Sequence, residues 1–222
     1  MSLHLKREIE KLKTKVLKLG SLVEEAVQQA TIAMKNRDLK LAKMVIRKDI
    51  MIDEMEVDVE EECLKVLALH QPVAIDLRFI VSVLKINNDL ERIGDLAVKI
   101  AERVPCIAEN FQVSVEPDYV DMAQKVQLML QKSLDALVEM DQGLAEQVRG
   151  MDDEIDRLNI EISEQIRKGI TEIDNDFENY MQLLNIPKSL ERIADHAANI
   201  SEDVIYMIEG KIVRHTTGQE DE

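Results

Sequence analysis

Four pairs of acidic residues share a spacing of four positions, which places both carboxylates of a pair on one face of a helix. The pairs are Asp49 with Asp53, Glu91 with Asp95, Asp152 with Asp156, and Glu191 with Asp195. Any one such pair is typical of a solvated helix surface. Four carboxylates that meet repel one another unless a cation joins them, and such hard oxygen ligands suit Mg²⁺, Ca²⁺, Mn²⁺ or iron. The chemistry therefore depends on whether the pairs meet in the fold.

The positions of the pairs indicate that they meet in two groups of four. The first two pairs are centred on residues 51 and 93, which are equidistant from Pro72. The other two are centred on residues 154 and 193, equidistant from a polar segment at 172–176. In an antiparallel helical hairpin, residues equidistant from the turn lie at the same height. We find no cation on the face of Glu91 and Asp95 that would explain their pairing, so the doubled arrangement predicts two metal sites.

Residues for catalysis are sparse. The four histidines are His4, His70, His196 and His215, and none follows a Glu at the spacing of the Glu-x-x-His element of di-iron bundle enzymes. HExxH, GxSxG and P-loop motifs are absent from the sequence. His196 follows Asp195 and is a candidate peripheral ligand. We expect a protein that is not an enzyme. The alternative is a carboxylate-bridged metal enzyme or metal store, and a weaker one is a purely structural bundle with no ligand.

An internal repeat organises the elements that carry the acidic pairs. Residues 84–104 align without a gap to residues 184–204, with eleven of 21 positions identical. Upstream, the segment from Asp38 to Asp53 matches the segment from Asp141 to Asp156 at an offset of 103. The chain is therefore predicted to hold two copies of one unit. We assign residues 1–112 to the first and residues 113–222 to the second.

Turn signals divide each unit into three helices. Asp38 and Asp141 are predicted N-caps, and polar or proline-containing turns follow at 70–72 and 174–176. Pro105 is expected to break or kink its helix, and Pro117 fits the first turn of the next. Apolar residues at a coiled-coil-like spacing form a predicted core seam: Ile86, Leu90, Ile93, Ala97, Ile100 and Val104. The expected fold is all-α, with two tandem, pseudo-symmetric three-helix bundles of six long antiparallel helices.

Charge and composition restrict the class of partner. The 222 residues carry a formal net charge of −16, which argues against nucleic acid because phosphate binding needs a basic surface. The sequence shows no secretory signal and no apolar run that could span a membrane. We expect a soluble, cytoplasmic protein in which Cys63 and Cys106 remain reduced.

The first twenty residues differ in charge from the rest of the chain. They hold six basic and two acidic side chains, although the chain as a whole is strongly acidic. Such asymmetry favours oriented docking over random encounter, although a solvated basic face is the commoner explanation. We select Lys11, Lys15 and Lys18 as candidate partner-binding residues.

Three segments resemble the PhoU family: QPVAIDLR at 71–78, NNDLERIGDLAVKIAE at 87–102 and SLERIADHAANISEDVIY at 189–206. The resemblance spans both units and nearly the whole chain. It implies two three-helix bundles with multinuclear metal clusters, most often iron or zinc, held by the acidic pairs described above. Ala194 stands where the first unit has Gly94, and Pro187 replaces a helix-favouring residue, so the helix start in the second unit is expected to differ.

The resemblance also implies a role in signalling phosphate sufficiency. Proteins of the family are thought to bridge the ATPase subunit of the phosphate ABC transporter and a phosphate-sensing histidine kinase. In this way they repress phosphate uptake and the phosphate-starvation regulon. The chain is accordingly expected to be a regulatory adaptor that forms a homodimer and reaches the membrane periphery through its partners.

Overall fold

A computed structural model describes residues 3–109, 119–170 and 177–211 of the chain. These residues form seven helices, and none of them is in a β-strand. The helices are α1 (Leu3–Asn36), α2 (Leu39–His70), α3 (Ile75–Glu109), α4 (Tyr119–Glu139), α5 (Gln142–Arg149), α6 (Asp152–Ile170) and α7 (Phe177–Glu209). The predicted all-α fold is confirmed.

The helices pack as two similar bundles around one continuous apolar core. In the first half α1, α2 and α3 contact one another, and in the second half α4, α5 and α6 pack against α7. The two halves join where α3 lies antiparallel to α7 and where α1 contacts α4. All six residues of the predicted α3 seam are buried, and so are their counterparts in α7: Ile186, Leu190, Ile193, Ala197, Ile200 and Val204. The tandem, pseudo-symmetric architecture is therefore confirmed.

The predicted N-caps set the equivalent turns of the two halves. The Asp38 carboxylate accepts hydrogen bonds from the backbone N–H groups of Lys40 and Leu41 at 2.9 and 3.0 Å. Asp141 accepts one from the backbone N–H of Leu144 at 3.0 Å. Each cap satisfies helix N–H groups that have no partner within the helix, so both turns are fixed by the same residue type.

The second half departs from the expected set of six long helices. Its middle helix is interrupted at Gly150 and Met151, where α5 ends and α6 begins, whereas the matching residues of the first half, Arg47 and Lys48, lie inside the continuous α2. Glycine is a poor helix former, and the acidic residues at the start of α6 are favourable beside a new helix N-terminus.

The interior prolines do not end their helices. Pro105 was predicted to break or kink its helix. The break does not occur, because α3 continues to Glu109, and the kink stays a prediction. Pro187 likewise lies inside α7. The predicted turn at 174–176, the position of Pro117 and the boundary between residues 112 and 113 lie outside the described residues. The division of the chain into two domains stays a prediction.

Candidate metal-binding sites

The first candidate site lies where α2 packs against α3. Asp49 and Asp53 project from α2, and Glu91 and Asp95 project from α3. The helices approach closely at Gly94, since a β-carbon there would lie 3.1 Å from the Ile52 side chain and 3.6 Å from Asp49 Oδ1. The Asp49 carboxylate therefore lies against the α3 backbone at Gly94, the residue that precedes Asp95.

The carboxylates of this first site repel one another. Partial burial and, after it, the negative charges of Asp53, Asp95 and Glu91 together raise the pKa of Asp49 to about 6. Burial also raises the pKa of Glu91, as do the charges of Asp95 and Asp53. The four side chains are thus close enough to perturb one another, as the position of the turn predicts.

The second half repeats this arrangement between α6 and α7. Burial and, after it, the charges of neighbouring carboxylates, Asp195 and Asp156 foremost, together raise the pKa of Asp152 to about 6. The pKa values of Glu191 and Asp195 are raised as well, first by burial and then by neighbouring carboxylates. The structure therefore places the four predicted carboxylates of each half within electrostatic range of one another.

The side chains do not form a closed coordination shell. Within the described residues, no three carboxylate, imidazole or thiol groups are arranged to hold one ion. The expectation that no cation faces Glu91 and Asp95 is wrong, because Arg92 lies 3.4 Å from a carboxylate oxygen of each. Both contacts are long and Arg92 is more than half exposed, so they offset only part of the repulsion. The oxygen donors fit a hard cation, and their role as ligands remains a prediction.

Glu56 enlarges the first cluster and was missed from the sequence. The Asn87 side-chain amide donates to Glu56 Oε1 and to the Glu56 backbone oxygen, both at 3.0 Å. The pKa of Glu56 is raised by burial and by the charges of Glu60, Glu91 and Asp53. Its position, one helical turn after Asp53, is the signal that could have identified it. Asn159 and Pro187 replace Glu56 and Asn87 in the second half, so the two clusters are not chemically equal.

Comparison with known proteins gives these clusters a family context. The family model of the PhoU domain matches the sequence at residues 16–104 and again at residues 119–204. The chain belongs to the PhoU family. The resemblance stated from the sequence is therefore confirmed, and the two matched segments carry the two carboxylate clusters.

Similar PhoU proteins align over nearly the whole chain. The phosphate-specific transport system accessory protein PhoU homolog of Pseudomonas aeruginosa is 40% identical over 94% of this chain and 86% of its own length. The Aquifex aeolicus homolog is 38% identical over 94% of this chain and 95% of its own length. The Escherichia coli protein is 33% identical over 96% of this chain and 88% of its own length.

Solved PhoU structures share the fold. The crystal structure of PhoU from Pseudomonas aeruginosa superposes with a TM-score of 0.88 and 36% sequence identity, covering 93% of this chain and 99% of that one. The crystal structure of the phosphate transport system regulatory protein PhoU from Streptococcus pneumoniae superposes with a TM-score of 0.87 and 32% sequence identity. That match covers 94% of this chain and 99% of the other. Both matches extend over the two bundles.

His196 of this PhoU chain is engaged at the interface between the halves. Its Nδ1 atom lies 2.8 Å from Asp89 Oδ1, which joins α7 to α3. The same interface has a second polar contact, in which Lys85 Nζ lies 3.2 Å from Oδ1 of the buried Asp203. The His196–Asp89 contact therefore joins the two halves. The role of His196 as a peripheral metal ligand stays a prediction.

The three lysines selected for docking differ in their surroundings. Lys15 bridges α1 to α2, with Nζ 2.8 Å from Asp58 and 3.5 Å from Glu62. Lys11 pairs with Glu8 at 2.7 Å within α1. Lys18 is exposed and forms no ion pair with the residues that the structure describes. They do not form one patch of unpaired charge, and their role in partner binding stays a prediction.

Proposed function

We propose that this PhoU-family chain is a non-catalytic regulatory adaptor of a phosphate-specific transport system. Its relatives are named accessory proteins of that system and match it over nearly their full length. In this proposal it acts in the cytoplasm as a homodimer, between the ATPase subunit of the transporter and a phosphate-sensing histidine kinase. When phosphate is sufficient, it represses uptake and the phosphate-starvation regulon.

The proposal includes a metal centre in each half. The observation that carries it is the mutual repulsion of four carboxylates at equivalent places in both bundles. A bound cation would neutralise that repulsion. Asp49, Asp53, Glu91 and Asp95 would hold it in the first half, and their four counterparts would hold it in the second. Iron or zinc in multinuclear clusters is our first choice, and Mg²⁺, Mn²⁺ and Ca²⁺ also suit these oxygen donors.

A metal in these positions would join two helices in each half. Each cluster is divided between two helices, α2 and α3 in one half and α6 and α7 in the other. Without a cation the like charges favour separation of the two helices, and with one they favour close packing. Metal binding is therefore proposed to stabilise the conformation that contacts the transporter and the kinase.

Complementation tests the regulatory role. In a bacterium deleted for its own PhoU-family protein, the chain should restore repression of a phosphate-starvation reporter when phosphate is abundant. The variant Glu91→Ala/Asp95→Ala should restore it less well. A matched control is Glu161→Ala/Glu164→Ala, which removes two exposed carboxylates of α6 that do not belong to the cluster. A reporter that stays active with the unmodified chain would contradict the adaptor role, and equal repression by both variants would contradict the regulatory role of the metal.

A further inference from the structure

One end of the molecule exposes a concentration of large aliphatic side chains. The three most exposed large apolar residues of the described chain are Leu69, Val73 and Ile75, at 68%, 73% and 67%. All three lie within residues 69–77, which comprise the end of α2, residues 71–74 and the start of α3, and which we call the 69–77 connection. Aliphatic side chains this exposed at a turn project outwards. Such a group on a protein surface marks a contact with an apolar environment.

The start of α1 lies beside this connection. Lys65, one turn before Leu69 in α2, lies 4.0 Å from Glu8 of α1, so the residues preceding Glu8 are level with the connection. On the other side, Lys13 of α1 lies over the Phe79 ring at 5.7 Å. The 69–77 connection and the N-terminal turns of α1 therefore form one end of the first bundle.

The N-terminal turns of α1 add positive charge to that end. Lys6 and Arg7 are exposed and form no ion pair with any residue that the structure describes. Arg78, just after the connection, lies beside Gly210 at the end of α7. In the first half, Glu8, Glu10 and Glu62 pair with Lys11, Lys13 and Lys65, and Asp76 lies within the connection itself. The other acidic residues of the same end, Glu139, Asp141 and Glu209, belong to the second half. The aliphatic connection is thus flanked by basic residues on a chain whose net charge is −16.

We propose that the 69–77 connection docks directly on an anionic lipid bilayer. Leu69, Val73 and Ile75 enter the boundary between headgroups and acyl chains, while Lys6 and Arg7 contact the headgroups. Exposed aliphatic residues next to basic side chains are the combination that binds such surfaces. The strongly acidic remainder of the molecule is repelled by the same surface, which leaves this end as the favoured point of contact.

Charge and residue type favour lipid over a protein partner. A second copy docked through the same end would place its own Lys6 and Arg7 in the same interface, and these like charges repel. The centres of protein interfaces are enriched in aromatic side chains, whereas the exposed residues of the connection are aliphatic and the nearby Phe79 lies under Lys13. Direct lipid contact goes beyond the proposed adaptor role, which requires only contacts with proteins.

Vesicle sedimentation with the full chain tests this proposal. The probes are vesicles of phosphatidylcholine alone and vesicles in which about a third of the lipid is phosphatidylglycerol. We expect binding to the anionic vesicles that weakens with salt. Leu69→Ser/Val73→Ser/Ile75→Ser should lower the affinity at least about ten-fold through lost apolar burial. Lys6→Glu/Arg7→Glu should lower it at least about 25-fold, since each basic residue contributes about five-fold.

Matched controls separate this end from general surface effects. Val57→Ser/Leu128→Ser/Ile160→Ser removes equally large exposed aliphatic residues elsewhere, and Lys43→Glu/Arg47→Glu reverses two exposed charges of α2. Both controls should bind as the unmodified chain does, and circular dichroism should show equal helix content in all variants. Equal losses in the controls, or absence of binding to anionic vesicles, would overturn the proposal. If the connection variants instead lose only co-purification with the transporter ATPase, the end is a protein-docking surface and the lipid assignment is wrong.

Discussion

Replacing Asp49 by Asn should stabilise the metal-free protein at neutral pH. Asp49 is partly buried between α2 and α3, and its pKa is raised from an ordinary 3.8 to about 6. Above about pH 6 the carboxylate is charged in both the folded and the unfolded chain, and only the folded chain bears the repulsion and the lost hydration. Below pH 3.8 it is protonated in both states. The contribution of Asp49 to folding stability therefore falls as pH rises from 3.8 to about 6.

The size of the effect follows from the pKa shift. A shift of about two pH units corresponds to about 3 kcal/mol, and partial solvent exposure of the carboxylate reduces this to about 1.5 kcal/mol. The neutral Asn side chain keeps the shape and removes the charge. For a chain of this length the gain should raise the melting temperature by about 3–6 °C. Urea denaturation of chelator-treated protein, followed by circular dichroism, measures the free energy of unfolding directly.

The pH and metal dependence of this gain separates it from a general mutational effect. Asp49→Asn should stabilise the metal-free protein at about pH 7.5 and have little effect at about pH 4. With saturating metal the unmodified protein should be the more stable of the two, because the variant lacks a proposed ligand. Asp135→Asn, an exposed change in α4, is the control and should be neutral throughout. A variant that is destabilised at neutral pH without metal would refute the account of repulsion in this cluster.

Three further predictions concern the fold. Asp38→Ala should lower the free energy of unfolding by about 1 kcal/mol, since two backbone N–H groups lose their acceptor, as urea denaturation would show. Gly20→Ala should cost about 1 kcal/mol, because its β-carbon would lie 2.9 Å from Leu134 Cδ2, and should instead stabilise a Leu134→Ala variant. A double-mutant cycle measures that coupling, and additive effects would contradict the contact. Cys63 is fully buried and its thiol pKa is raised to about 12, so iodoacetamide should modify it only after urea unfolds the chain; modification of the folded protein, detected by mass spectrometry, would contradict that burial.

The sequence predicted the parts of the fold that depend on local signals and on periodicity. The caps at Asp38 and Asp141 are local, because each residue bonds to backbone two or three positions ahead. The seam of α3 follows from helical periodicity alone. The meeting of four carboxylates in each half required only the turn position, since a hairpin pairs residues equidistant from its turn.

Features that depend on competition between side chains were not predictable in this way. The Asn87–Glu56 and His196–Asp89 contacts join residues 31 and 107 positions apart, and their partners depend on the rotation of each helix about its axis. Arg92 contacts both Glu91 and Asp95 because its long side chain reaches carboxylates one and three positions away, whereas a face assignment considers only the direction of the Cα–Cβ bond. The break at Gly150 depends on the balance between poor helix propensity and the packing of α5 against α7.

Metal content of the protein, purified without chelator or nickel resin, tests the central claim most directly. Elemental analysis should be run on the unmodified chain, on Glu91→Ala/Asp95→Ala, on Glu191→Ala/Asp195→Ala, and on a variant lacking all eight carboxylates. We predict bound metal in the unmodified chain, loss of about half of it in each double variant because the clusters lie in separate bundles, and none in the last. An unchanged metal content after removal of all eight carboxylates would contradict the assignment of these clusters as metal sites.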